Sequence, residues 1–554
     1  MAADRLPWTA ESRLMIRDII AYGVKSGWKV HDASQLSSDM HIDADVAIVG
    51  TGAGGGTAAE ILSAAGLRVV LIEEGPLRSS SDFHMLEREA YPQLYQDSAA
   101  RKTKDKGITI LQGRAVGGST TVNWTSSFRT PPETLAYWRE QYGLPGYTPE
   151  TLAPWFAMME RRLNIHPWAK APNDNNDVLR RGAAKLGILT EVIPRNVKGC
   201  WNLGYCGMGC PTNAKQSMLV TTIPSALERG AVLLTRARAE RLVFDGAKIT
   251  SLRVRALNAG GITTSPYSVT VHARHFVLAA GAIGSPALLL RSALPDPYER
   301  VGKRTFLHPV VLSFATMPEA VNGFSGAPQS IYTDHFLHTQ PLDGPIGYKL
   351  EVPPIHPVLA ATTLIGFGES HTRLMNELTH GQVIIALMRD GFNEHSQGGS
   401  VGLHADGSPL LDYPITDYIW EGARRALLTM AQIQFAAGAR SVLPMHEDAV
   451  PYHSLNAASK AIEAFPMQIL RTLVVSAHVM GGCGMGNDPK QSVVDGNGAH
   501  YHAENLSVFD GSIFPTSIGA NPQLSIYGIT ARNATRLAEQ LTGRPALRPL
   551  DSVS

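Results

Sequence analysis

The stretch His41–Gly75, HIDADVAIVGTGAGGGTAAEILSAAGLRVVLIEEG, restricts the fold more than any other part of this chain. Asp45–Val49 is a short apolar run rich in β-branched residues, as a buried parallel strand requires. Gly50, Gly52 and Gly55 follow in G-x-G-x-x-G spacing. Thr57–Ala65 then reads as a small-residue helix, and Arg68–Ile72 as a second apolar strand ending at Glu73. Each part has a physical task. Gly50 turns the chain out of the strand, Gly52 lets backbone approach a pyrophosphate, and Gly55 lets the helix lie close to the sheet with its N-terminal amides on the phosphates. A carboxylate about 20 residues beyond the turn accepts hydrogen bonds from an adenosine ribose, which is the place of Glu73. The expectation is an α/β chain with a Rossmann-type dinucleotide fold. The turn alone does not separate FAD from NAD.

Bulk properties narrow the rest. A chain of 554 residues exceeds one hydrophobic core and suffices for two. A formal net charge of +1 with scattered basic residues gives no footprint for nucleic acid. Met1–Thr9 shows no basic stretch leading into an apolar one, so the default expectation is a cytoplasmic protein. Ser12–Tyr22 carries apolar positions at helical spacing and is read as a helix packed on its own domain, with peripheral contact to a membrane left open. Four cysteines in so long a chain do not make a disulfide scaffold.

Four further stretches resemble the glucose–methanol–choline (GMC) oxidoreductases, with similarity recurring from about residue 42 to residue 545. Gly113–Asn123 (GRAVGGSTTVN) is similar to the first family signature. The resemblance places Arg114, Gly117, Gly118, Ser119 and Asn123 at a flavin, with Gly117–Gly118 against the isoalloxazine and Asn123 near its reactive edge. Where some members carry a histidine covalently bonded to the flavin, this chain has Val122, so the implied FAD is non-covalent. Val277–Leu290 (VLAAGAIGSPALLL) is similar to the second signature, although the usual S-G-x-G is replaced by Ser292–Ala293–Leu294. Val508–Thr516 (VFDGSIFPT) looks like a third segment, in which Asp510 sits near the ribityl–pyrophosphate portion and Gly511 brings backbone to the flavin. Ser476–Gly486 (SAHVMGGCGMG) and Gly519–Ile526 (GANPQLSI) place His478 and Asn521 on the family's catalytic pair, with Pro522 beside them.

The chemistry suits those residue types. Taking hydride from an alcohol carbon obliges the hydroxyl proton to leave, and a neutral imidazole near its ordinary pKa can accept it. Asn521 does not titrate; its amide donates to the developing alkoxide and orients the hydroxyl. His308, before Pro309, falls on a family stretch where a pocket-lining or structural role is expected. His500 and His502 alternate in a way that suits a metal, yet read better as surface histidines.

Cys200, Cys206 and Cys210 cluster in an otherwise cysteine-poor chain. Related sugar dehydrogenases hold an iron–sulfur cluster at similar spacing. The words Cys206–Ser217 (CGMGCPTNAKQS) instead resemble long-chain alcohol oxidases, which need none, and a tight cysteine-lined turn or one disulfide is the plainer reading. No other metal site is expected.

The resemblance implies a discontinuous FAD-binding domain over 42–135, 205–305 and 476–546. The substrate domain, α+β on an antiparallel sheet, takes 136–204 and 306–475, after an N-terminal extension over 1–41. Val383–Leu387 and Ser400–Leu403 are candidate strands of that sheet, and Trp420–Gly438 a candidate helix. The expected activity is oxidation of a bulky or long-chain primary alcohol, with His478 as base, Asn521 positioning the hydroxyl, and oxygen or another external acceptor reoxidising the flavin. A flavin dehydrogenase using the cysteine cluster, and a lyase or photodecarboxylase on the same fold, are the alternatives.

Overall fold

A computed structural model describes residues 16–546. Met40–Val49 ends in four buried residues, so both faces of this strand are covered. It sits between Val69–Ile72 and Thr264–Leu278, parallel to both. Val232–Thr235 and then Lys29–Asp32 extend the sheet beyond Val69–Ile72, again in parallel. On the other side, Thr264–Leu278 pairs through its first half with the antiparallel strand Lys248–Leu257 and through its last three residues with Leu506–Val508. This is the doubly covered parallel sheet that the N-terminal motif implies.

The glycine-rich helix begins at Ala53, not at Thr57, and runs to Ala64. Its first turn therefore contains Gly54, Gly55 and Gly56, residues that are poor in helix interiors but cost little at an end where tight packing decides. Gly54 is required there, because a Cβ on it would lie 1.5 Å from the Phe509 carbonyl oxygen. Helix Gln523–Thr542 packs across it and against helix Pro149–Arg162, and Arg162 reaches the buried Glu60 at 2.7 Å.

A second, eight-stranded sheet is almost wholly antiparallel. Its order is Ile108–Ile110, Val474–Ser476, Val310–Thr316, Gly381–Met388, Tyr348–Glu351, Ile331–Thr333 and Glu191–Val192, with Ser441–Pro444 also on Val310–Thr316. Helix Asp417–Ala436 closes one face. The two strands expected at Val383–Leu387 and Ser400–Leu403 lie within Gly381–Met388 and Gly399–Leu403; the second belongs to a separate four-stranded sheet. In that smaller sheet Leu307 opposes Val479, which sets the flanking residues His308 and His478 side by side.

Of the helix expected over Ser12–Tyr22, residues 12–15 lie outside the described ones. The described helix is Ile19–Lys25, capped by Asp18 and held to helix Thr222–Glu228 with Ile20 buried. Among the described residues no helix is long and apolar enough to cross a membrane.

Candidate active site

The glycine turn, the Gly117–Gly118 pair and the Asp510 segment converge at one end of the parallel sheet. Gly118 adopts φ +53°, and a Cβ on it would meet the Gly52 Cα at 2.7 Å. The two glycine motifs thus touch through bare backbone. Gly50 lies under the Ala279 carbonyl and Gly55 over that of Gly50. The helix Ala53–Ala64 starts from Gly52 with no side chain capping it, which leaves its first amides to an outside acceptor. Glu73 is buried behind this turn; Oε2 accepts from Thr51 N and Oγ1, and Oε1 accepts from Gly75 N. Burial raises its pKa, and one acceptor direction on Oε1 is left over. These features fit a dinucleotide: an uncapped helix start for the pyrophosphate, a carboxylate for a ribose, and side-chain-free backbone between them.

The remaining expected contacts divide. Ser119 Oγ accepts from Gly113 N at 3.0 Å, fixing the loop. Arg114 presses its backbone on Gly75, but its guanidinium turns away to Glu74 and the Gly261 carbonyl. Asp510 spends its carboxylate on Gly281 N, Ser285 Oγ and Ser512 N, so it braces a helix start and its own loop. Gly511 lies beside Ile526 and Val479. Pro522 leads into helix Gln523–Thr542. Asn123 Nδ2 donates to Gln523 Oε1 at 2.7 Å, and Gln523 Nε2 donates to the Ser126 carbonyl. This staples the Gly117–Asn123 loop to the segment carrying Asn521.

His478 and Asn521 belong to one polar cluster. His478 Nδ1 lies 3.0 Å from His308 Nδ1, and His308 Nε2 accepts the Gly519 amide at 3.2 Å, two residues before Asn521. Lys349, which sequence reasoning missed, joins the two halves. Its Nζ donates to Asn521 Oδ1 at 3.3 Å, and its charge acts on His478. Glu351 completes the cluster: Oε1 is 3.2 Å from Lys349 Nζ, and Oε2 accepts from Asn521 Nδ2 at 3.2 Å and Gln329 Nε2 at 2.6 Å. Burial, then the Lys349 charge, pushes His478 down to about pKa 3, so the ring is neutral at ordinary pH. Burial also holds His308 well below the ordinary imidazole value, helped by His478, Lys349 and Arg389. The only cue to Lys349 and Glu351 in the sequence was their two-residue spacing, which puts both charges on one face of a strand.

The cysteine segment serves this site indirectly. Lys215, buried, donates to the carbonyls of Thr121, Asn123 and Cys206 at 2.6–2.9 Å, tying the loop that bears Asn123 to the cysteine turn. Cys200, Cys206 and Cys210 are free thiols, and Cys206 Sγ lies 3.5 Å from Arg195. Among the described residues no group of three or more His, Cys, Asp or Glu side chains is arranged to hold a metal ion, so nothing in the arrangement supports an iron–sulfur cluster. His500 is buried, not at the surface as expected, and its Nδ1 accepts the His502 amide. Burial raises the Cys483 thiol pKa, in keeping with a packing role.

Models of the GMC oxidoreductase N- and C-terminal regions match residues 91–310 and 395–530. The chain belongs to the GMC oxidoreductase family, and is an FAD-dependent oxidoreductase acting on CH–OH groups. The long-chain-alcohol oxidase FAO1 of Arabidopsis thaliana is 28% identical over 94% of this chain and 70% of its own length. An uncharacterised GMC-type oxidoreductase, y4nJ of Sinorhizobium fredii, is 28% identical over 90% of this chain and 95% of its own. Among solved structures, pyridoxine 4-oxidase from Mesorbium loti superposes with a TM-score of 0.66 over 89% of this chain and 98% of that one, at 20% identity, a likeness of fold.

Proposed function

We propose that the chain oxidises an apolar primary alcohol, with FAD held non-covalently, His478 taking the hydroxyl proton and Asn521 holding the oxygen. One observation carries the substrate class: on the face of the antiparallel sheet that presents Lys349 and Glu351 to Asn521, the neighbouring strands on one side are apolar as far as Phe314, while Tyr332 and then Glu191 stand on the other side. Lys349 opposes Leu387, which opposes Val310, which opposes Val475; Glu351 opposes Ile385, which opposes Leu312. Directly opposed residues share a face. Val310, Leu312, Ile385 and Leu387 keep 5–8% of their surface accessible, whereas Val311, Leu350, Ile384 and Ala386 on the helix-covered face are sealed at 0%. These four side chains are thus sealed less completely than those of the helix-covered face, and where a substrate reaches them they suit methylenes, not hydroxyls or a charged head group.

The Gly50–Gly55 turn and Glu73 would hold the dinucleotide portion of FAD, and Gly117–Ser119, Asn123, Gly511 and Pro522 its ring side; Val122 offers no atom for a covalent link. When bound, the cofactor supplies the hydride acceptor. Asn521 Nδ2 keeps one hydrogen beyond the one given to Glu351, and that hydrogen holds the alcohol oxygen. His478 presents Nε2, since His308 occupies its Nδ1.

A second reading of His478 is favoured by the Gly519 bond. Because His308 Nε2 accepts that amide, the hydrogen between the rings belongs to His308, and neutral His478 carries its own on Nε2. In that tautomer His478 donates to the oxygen and holds it as Asn521 does. Stopped-flow flavin reduction by an alcohol separates the readings. A proton acceptor makes His478→Ala and His478→Gln equally slow, by about 10²–10⁴-fold; a donor is largely rescued by Gln. Wild-type rates in His478→Ala and in Asn521→Ala would refute both.

A further inference from the structure

Two charged side chains on the inner face of a core strand need a reason. Lys349 is 3% exposed and Glu351 is not exposed at all. Burying an ion pair removes hydration that mutual attraction repays only in good geometry, so such a pair is a poor source of stability. The geometry here is that of a grip. Phe128 and Tyr332 place ring centroids 3.1 and 4.2 Å from Lys349 Nζ, confining the ammonium. The ammonium meets the oxygen of the Asn521 amide, and the Glu351 carboxylate meets its nitrogen. Glu351 is itself fixed by Gln329, whose Oε1 accepts from Ser126 Oγ.

Rotating the Asn521 amide by half a turn would set its oxygen against the carboxylate and its N–H groups against the ammonium. Both contacts would become repulsive. Either partner alone would favour one orientation; together they forbid the other. We propose that Lys349 and Glu351 are positioning residues that lock the Asn521 amide so that its second Nδ2 hydrogen points at the substrate oxygen. The ammonium on Oδ1 also polarises the amide and strengthens its N–H as a donor. This rests on the role given above to Asn521, and neither residue needs to touch substrate.

The test is a double-mutant cycle on the flavin-loaded enzyme. Lys349→Met with Glu351→Leu removes both charges together and leaves neither buried alone. Losing one preorganised donor costs about 10²–10³ in rate, so kcat should fall by about 10² while KM moves little. Asn521→Ala alone should do the same, and adding it to the paired variant should cost nothing further, because all three act as one unit. Losses that multiply, or a kcat within threefold of wild type in the paired variant, overturn the inference. If Asn521→Ala is itself harmless, the role of Asn521 falls; if it is slow and the paired variant is fast, only the grip falls. Should the paired variant lack flavin, the isosteric Glu351→Gln enters the same cycle with the same expectation of non-additivity. Neutron density for the holoenzyme gives a readout independent of rate: the Nδ2 hydrogens must lie on the Glu351 side, and the reverse orientation overturns the proposal.

Discussion

Chain length is the variable that the apolar sheet face turns into a number. Val310, Leu312 and Phe314 point the same way along one strand, with Leu387, Ile385 and Val383 opposite them. From Val310 to Phe314 is four residues, about 13 Å at ~3.3 Å per residue. On the proposed function a linear alcohol with its carbinol at His478 and Asn521 would run along this row toward Phe314, which at 1% exposure closes it, and each methylene leaving water would contribute about 0.8 kcal/mol, or roughly fourfold in kcat/KM. The assay is kcat/KM for a series of linear primary alcohols under one acceptor. It should climb by up to about fourfold per carbon and level off once the chain reaches Phe314. Leu312→Asn keeps the size but not the polarity. It should lower kcat/KM by about tenfold for long members, the worth of roughly two methylenes, and leave short ones nearly unchanged. A flat series, or a sugar or choline preferred to every linear alcohol, would refute the reasoning from this face.

Two further outcomes follow from particular groups. Burial lowers Lys349 from its ordinary value to about 8, opposed by Glu351 and more weakly by Asp334 and Glu191. The ammonium is present below that pH and lost above it, so kcat should fall as pH rises through about 8, and Lys349→Arg, which stays charged, should move that limb upward in a pH–rate profile. Gly54→Ala forces a methyl into the Phe509 carbonyl and must push the Asp510 segment away from the glycine turn; purified protein should lose its flavin absorbance, and full absorbance would contradict the close packing described here.

What could be read in advance was whatever local pattern dictates. The strand–turn–helix–strand unit around Gly50–Gly55 follows from contiguous apolar runs and glycine spacing, and its order stands as expected, although the first strand opens at Met40, not Asp45, and the helix at Ala53, not Thr57. Gly54–Gly56 are helical because their close contact with Phe509 and Met218 makes them a packing surface. His478 and Asn521 were legible through motif resemblance. Lys349 and Glu351 were not, because YKLE reads as an ordinary half-exposed strand until cross-strand pairing shows which face it turns to Asn521. Arg114 and Asp510 show the converse limit: a motif marks where a residue sits, while the direction of its side chain depends on partners such as Glu74 and Ser285 that lie far off in sequence. His500 reads as a surface histidine and is buried, for the same reason.

The pairing of Lys29–Asp32 with Val232–Thr235 has a practical consequence for anyone shortening the protein. A version trimmed to begin at the glycine motif would strip the outermost ribbon from the parallel sheet and bare a row of amides and carbonyls on a β-rich, apolar segment. Open edges of that kind recruit other chains. The leading residues, which no motif claims, act as a selvage, and their removal should show itself first as clumping during purification rather than as a slower enzyme.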